Sequence, residues 1–266
     1  MTDLLHDKTA IIYGAGGGIG AGVARTFARE GARVFLAGRT RDTLEAVAKD
    51  VAKDIASAGG SAQVATVDAL DERAVGEYVE RVTATTGRVD VSFSLIDRGD
   101  VQGTPLVDMS TDDLLRAVVN GLRSSFVTAR AAARQMIRQG SGVILHLNSA
   151  SGPAAMPGMG STGPADAATE AFMRYLAAEV GQHGVRVCGI WTAGVADTLT
   201  RAKMAAVAGD NAPDPQAAIE MISSMSALRR APRLAEVAEV AAFLASDRAS
   251  GITGTMTNVT SGLVLR

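Results

Sequence analysis

The residues of this chain best suited to chemistry fall in three places. The first is a glycine cluster, "YGAGGGIGAG", from Tyr13 to Gly22. A tight turn without side chains lets backbone N–H groups and a helix N-terminus meet a pyrophosphate. The common fingerprint G-x-G-x-x-G fits no register here, but G-x-x-x-G-x-G fits through Gly14, Gly18 and Gly20, with Gly17 and Ile19 in the same loop. The second place is the end of the apolar run "RVFLAG", which continues into Arg39 and Arg41. An acid there would bond the 2′-hydroxyl of NAD, whereas an arginine accommodates the 2′-phosphate of NADP, so Arg39 points to NADP(H) and Arg41 reads equally as a solvated surface residue. Asp68, in "ATVDAL", is placed to reach the adenine or to cap the helix beginning near Asp71. The third place is Asp166, where "GSTGPADAATEAFMRYLAAEV" turns helical. Proximity to a helix N-terminus alone favours an acid by roughly 0.3–1 kcal/mol, so Asp166 has a structural as well as a chemical reading.

These residues need a frame. Seven short β-rich runs ("TAIIYG", "RVFLAG", "AQVATVD", "VDVSFSLI", "GVILHLN", "VRVCGIW" and "TMTNVT") alternate with helical patterns. Ile19, Val23 and Phe27 recur at helical spacing, as do Leu44, Val47, Val51 and Ile55. Strands apolar almost throughout, each followed by a helix, indicate a parallel sheet covered on both faces. The expectation is a single-domain, doubly wound α/β Rossmann fold over residues 1–266, with about seven parallel strands flanked by helices. Between about 193 and 233, prolines and methionines interrupt the rhythm, and a segment of that length outside the sheet reads as a substrate loop or lid.

Composition sets the surroundings. With 266 residues, 47% hydrophobic and 20% charged, the chain reads as an ordinary globular protein of net charge −2. It has no Lys/Arg block to attract nucleic acid or an anionic membrane face, and no apolar run near the roughly 18 residues of a membrane span. Its only cysteine, Cys188, and its polar start suit a reducing cytoplasm. The expected ligand is a small-molecule substrate. His146 alternates away from Ser149 along "VILHL" and reads as a satisfied core histidine, while Trp191 and several methionines suit either an apolar pocket or core packing.

Over essentially its full length the chain resembles the short-chain dehydrogenase/reductase family. "YGAGGGIG" is similar to the family's T-G-x-x-x-G-I-G, with Tyr13 in place of threonine; "LRAVVNGLRSSFVTARAA" resembles the helix that carries the active-site asparagine, here Asn120. "GVILHLNSASG" resembles the strand that ends in the catalytic serine, here Ser149, and "EVAEVAAFLASDRASGITG" resembles the family's C-terminal pattern. The resemblance also assigns Ser94, Gly194 and Thr198 to the surroundings of the cofactor, and it implies a dimer or tetramer of identical chains.

Two motifs depart from that pattern. The family's N-N-A-G is replaced by "SLID", Ser94 to Asp97, and its Y-x-x-x-K by Thr162 and Asp166. In the family the tyrosine exchanges a proton with the substrate oxygen while the lysine lowers its pKa and binds the nicotinamide ribose. An aliphatic alcohol is far too weak an acid for that task, and neither Tyr175 nor Lys203 falls at the required spacing. The chain thus reads as an NADP(H)-dependent reductase acting on a carbonyl, imine or activated alkene by atypical proton chemistry, with Ser149, Asn120 and Asp166 at its centre. A protein that binds NADP(H) without turnover, or a silent subunit of a mixed oligomer, is the alternative.

Overall fold

Runs such as "TAIIY" have no polar face to present to water, so they form strands buried on both sides. β1 (Thr9–Tyr13) is buried at all five positions. The computed structural model describes residues 3–54 and 61–265. After β1 come α1 (Gly18–Arg29), β2 (Arg33–Gly38), α2 (Arg41–Asp54), β3 (Ser61–Thr66), α3 (Glu72–Thr86), β4 (Val91–Ser94) and α4 (Thr111–Gln139). The second half continues with β5 (Gly142–Ser149), α5 (Thr162–Val180), β6 (Val185–Thr192), α6 (Arg201–Ala208), α7 (Pro215–Met225), α8 (Leu234–Ala245) and β7 (Met256–Val259). Ile55, placed in the second helical pattern by its spacing, lies outside the described residues.

The seven strands form one parallel sheet in the order β3-β2-β1-β4-β5-β6-β7. Alternation along each strand divides the core in two. Ile12 and Leu36 pack with Val23 and Phe27 of α1 and Val237 of α8, whereas Ile11 and Phe35 pack with Val79 of α3 and Met136 of α4. Fully burying each such side chain contributes about 1.5–3 kcal/mol, which fixes the strand register and hence the position of every strand end. The order reverses between β1 and its neighbours β2 and β4, and a crevice opens there at the carboxyl ends of the strands. At that point Gly14 has φ +76°, and a Cβ on it would collide with the backbone of Leu95, so the chain can turn tightly into α1 only as glycine.

The segment expected as a loop between 193 and 233 holds two helices. Thr200 caps α6 by accepting from the Lys203 N–H, and Asp214 caps α7 ahead of Pro215 in its first turn. The prolines that break the helical pattern therefore mark a boundary between helices. Asp71 caps α3, leaving Asp68 to accept from the Leu70 N–H in the preceding turn. Among the described residues no helix is long and apolar enough to cross a membrane.

Candidate active site

A cleft of about 790 Å³ lies over the strand ends. Gly14, Gly17, Gly18, Ile19 and Gly20 line it from the β1–α1 turn, with Arg39 and Asp68 at the same end. Ser94, Asn120, Ser149 and Thr198 line the rest. Gly194 is elsewhere: a Cβ there would come 2.6 Å from Ile222 Cδ1 of α7, so it packs beneath the helices of the 193–233 segment. Arg41 pairs with Glu45 one turn along α2, which fits the surface reading of the two open for it.

Ser149 ends β5, and the register of that strand against β6 sets it opposite Thr192. One turn into α5, Asp166 comes alongside. The Ser149 hydroxyl donates to Asp166 Oδ2 at 2.5 Å, and the Ser149 backbone N–H donates to the same oxygen at 3.1 Å. The Ser149 oxygen in turn accepts from the Ser151 N–H at 3.0 Å. Asn148 donates to the Asp166 carbonyl, which fixes the helix against the strand. The residue that sequence alone did not indicate is Arg98, on the loop after β4. Its Nη1 donates to Asp166 Oδ1 at 2.6 Å, while Nε and Nη2 form a fork on Asp100 at 3.2 and 2.8 Å. Asn120 donates to the Arg98 carbonyl at 3.2 Å. Gly121, next to it on α4, leaves room for the arginine stem: a Cβ there would lie 2.7 Å from Arg98 Cδ. The three candidate catalytic residues are therefore linked through Arg98: Asp166 pairs with its guanidinium, Ser149 donates to Asp166, and Asn120 holds its backbone carbonyl.

The electrostatics follow from burial. The Asp166 side chain is 0% exposed and forms no part of the cleft wall. Burial pushes its carboxyl above the usual carboxylate range, against the pull of the Arg98 guanidinium and the Ser149 hydroxyl. Burial also opposes the charge on Arg98, but Asp166 and Asp100 together hold the guanidinium pKa above its ordinary value. Both Asp166 oxygens accept from the protein, one from a cation. The arrangement is that of an anion that positions its neighbours.

The proton inventory of the cleft is short. A serine hydroxyl carries one proton, and that of Ser149 is committed to Asp166. Thr162, which the resemblance sets at the family's tyrosine, is buried and accepts from Gln102 Nε2 at 3.1 Å, outside the cleft wall. Among the described residues no tyrosine lines the cleft. Tyr13 and Tyr78 pack edge to face in the core, where burial raises both phenols, and Tyr175 is 74% exposed on α5. His146 is buried as expected, but its Nε2 lacks a protein partner among the described residues, and burial lowers its pKa to about 4. It is neutral near pH 7 and no acid. Trp191 donates to Glu170 at 2.6 Å and does not line the cleft. Lys203, too far along the chain to satisfy the family spacing, does reach the cleft from α6.

A Ser149→Ala variant is expected to lose about 1–3 kcal/mol of stability, because the Ser151 N–H loses its acceptor and Asp166 one donor. Urea unfolding checks this; full stability would show that the hydroxyl is free.

Residues 14–264 match the family model described as enoyl-(acyl carrier protein) reductase. The chain is 31% identical over 266 residues to oxidoreductase UcpA of Salmonella typhimurium, covering 98% of this chain and 96% of the relative. It is 30% identical over 263 residues to the 3-oxoacyl-(acyl-carrier-protein) reductase FabG of Chlamydia muridarum, covering 99% and 100%. Among solved structures, a short-chain type dehydrogenase/reductase from Mycobacterium ulcerans is similar with a TM-score of 0.87 at 27% identity, covering 98% of this chain and 91% of that one. An NAD+-bound xylitol dehydrogenase is similar with a TM-score of 0.84 at 25% identity, covering 96% and 98%.

Proposed function

Since the chain belongs to the short-chain dehydrogenase/reductase family of oxidoreductases, we propose that it binds NADP(H) and reduces a small molecule that takes no proton from the protein in the reducing step. The similarity to an NAD+-bound enzyme supports a dinucleotide in the cleft, and the residues there fit one. The turn at Gly14 carries no side chain, and the N-cap Gly17 offers no side-chain cap, so the first-turn N–H groups of α1 are open to a diphosphate. Arg39 stands exposed at the end of β2, where no acid competes for a ribose 2′-hydroxyl, and this supports a 2′-phosphate there. Asp68 would border the adenine end, Ser94 and Thr198 line the cleft further along, and α6 reaches it through Lys203 and Val207, which supports the 193–233 segment as a lid.

The observation that carries the reading is the commitment of the Ser149 proton to Asp166. When bound, the reduced nicotinamide supplies a hydride from its C4. Asp166 and Asn120 position the Arg98 loop, and Ser149 shapes the floor without donating. The reacting end carries two carboxylates, Asp100 and Asp166, around one guanidinium, a surplus of one negative charge that suits a cationic hydride acceptor. An iminium meets both conditions, because its carbon accepts hydride while the π electrons return to nitrogen and no proton moves.

The test compares cyclic iminium salts with matched ketones at fixed NADPH. Faster reduction of the iminium is expected; ketones reduced as fast would overturn the proton argument. NADPH bound without turnover of either class would favour the second reading, a dinucleotide-binding protein, which the enclosed Ser149 also suits. For the cofactor, Arg39→Ala is expected to weaken NADPH binding about tenfold and leave NADH nearly unchanged, the loss of one charge-assisted contact to a phosphate. Equal affinity of the wild type for both cofactors would remove the assignment of Arg39.

A further inference from the structure

We propose that Lys203 belongs to the diphosphate site of the cleft and that Asp97 holds its place until a phosphate arrives. The inference rests on the reading of the cleft as a dinucleotide site. Lys203 Nζ lies 3.5 Å from Asp97 Oδ2, and the two side chains are 54% and 60% exposed. Both line the cleft with Gly18 and Thr198.

The separation is longer than the 2.7–2.9 Å of a good charge-assisted hydrogen bond, and an exposed pair of this kind is weak, so exchanging one anion for another costs little. The backbone that carries Lys203 is fixed independently of the pair. Thr200 caps α6 by accepting from the Lys203 N–H at 3.2 Å, and the Gln102 N–H donates to the Val207 carbonyl at 2.8 Å, tying α6 to the loop after β4. At the start of the segment Thr198 rests on the glycine turn, its Cγ2 3.0 Å from where a Cβ of Gly18 would be. The only part of Lys203 left to move is its four-carbon stem, and the turn that offers N–H groups to a diphosphate is within the same wall.

Asp97 answers to two of the cations that line the cleft. Burial raises its carboxyl, but the Gly99 N–H, Lys203 and Arg39 outweigh burial and bring it below its usual range. An acid paired with Lys203 and within the field of Arg39 neutralises charge that a dinucleotide's phosphates would otherwise meet. Arg39 serves the 2′ end, so Lys203 is assigned to the diphosphate that NADPH and NADH share.

Two roles for the pair predict different signs. If Lys203 and Asp97 merely latch the lid, removing either partner changes affinity in the same direction. If Asp97 is a placeholder, Lys203→Met weakens binding and Asp97→Asn strengthens it, since the competing anion is gone. The experiment titrates NADPH and NADH into the full chain, reading the change in cofactor fluorescence, at two salt concentrations. Circular dichroism confirms that the variants fold, as expected for half-exposed positions. Lys203→Met is expected to weaken both cofactors on the order of tenfold and to flatten the salt dependence, the loss of one phosphate contact. Asp97→Asn is expected to tighten both by about two- to fivefold, and the wild type lies between. Wild-type affinity in Lys203→Met, weaker binding in Asp97→Asn, or a Lys203→Met effect confined to NADPH would overturn the inference while leaving the cofactor reading intact. No saturable binding of either cofactor by the wild type would overturn both.

Discussion

Replacing Asp166 with lysine, the residue that the resemblance to the family motif sets there, is expected to unfold much of the protein instead of producing a ketone reductase. The substitution removes one partner of a buried ion pair, which costs about 3–5 kcal/mol when the other charge is stranded. It then places an ammonium where Asp166 Oδ1 lay, 2.6 Å from Arg98 Nη1. Two like charges at roughly 4 Å repel by about 4 kcal/mol at an effective dielectric near 20. The sum is comparable with the whole stability of a domain, about 5–15 kcal/mol. Adding Thr162→Tyr gives no relief, because Thr162 is 4% exposed and its hydroxyl accepts from Gln102. Urea unfolding of Asp166→Lys, Asp166→Asn and the exchanged pair Asp166→Lys with Arg98→Asp decides the matter. The exchanged pair should regain part of the loss and Asp166→Asn should fall between. Robust reduction of simple ketones by Thr162→Tyr with Asp166→Lys would show the geometry around Arg98 to be wrong.

Arg98→Leu should be nearly as damaging at neutral pH, about 3–5 kcal/mol, since it leaves Asp166 and Asp100 without their shared cation. This loss has a pH signature. Without the guanidinium, burial and the neighbouring Asp100 charge are opposed only by the Ser149 hydroxyl, and the folded-state pKa of Asp166 rises further above the unfolded reference of about 3.9. The folded variant then binds a proton more readily than the unfolded chain. Its deficit relative to wild type is full above the raised pKa and shrinks as pH falls through it. Melting temperatures of both proteins from pH 8 to pH 4 measure the gap. A gap that stays constant across that range would mean that Asp166 is not the stranded anion. Arg98→Leu with Asp166→Leu should recover stability, because a buried pair replaced by apolar side chains is often neutral or better.

The frame and the site were legible to different depths, for physical reasons. Strands such as β1, β2 and β6 announced themselves because burial on both faces demands unbroken apolar runs, and the glycine turn because only glycine adopts φ +76° against the Leu95 backbone. The spacing from Ser149 brought Asp166 to its place, since a strand end and the next helix leave little slack. The purpose of Asp166 did not follow, because its partner is 68 residues away on a loop without periodicity. A signal did exist: an acid in a buried helix turn requires a cation, and "SLIDRGD" supplies one flanked by acids. The helical stretch between 193 and 233 was visible but its prolines obscured where one helix ends and the next begins, although Thr200 and the Asp214–Pro215 pair are ordinary helix starts.

The bare α-carbon at position 121 also imposes an order in time. Starting from a chain with the family's lysine, an arginine at 98 would meet both a like charge and any side chain at 121, while an aspartate at 166 would arrive buried and alone. Loss of the side chain at 121 harms neither arrangement, costing only the roughly 0.5–1 kcal/mol of a helical glycine. The viable mutational path therefore begins at Gly121, passes through a neutral residue at 166, admits Arg98, and ends at Asp166. Returning by single steps would have to pass through the same neutral residue at 166, so cation and anion cannot be exchanged at the two positions one charge at a time.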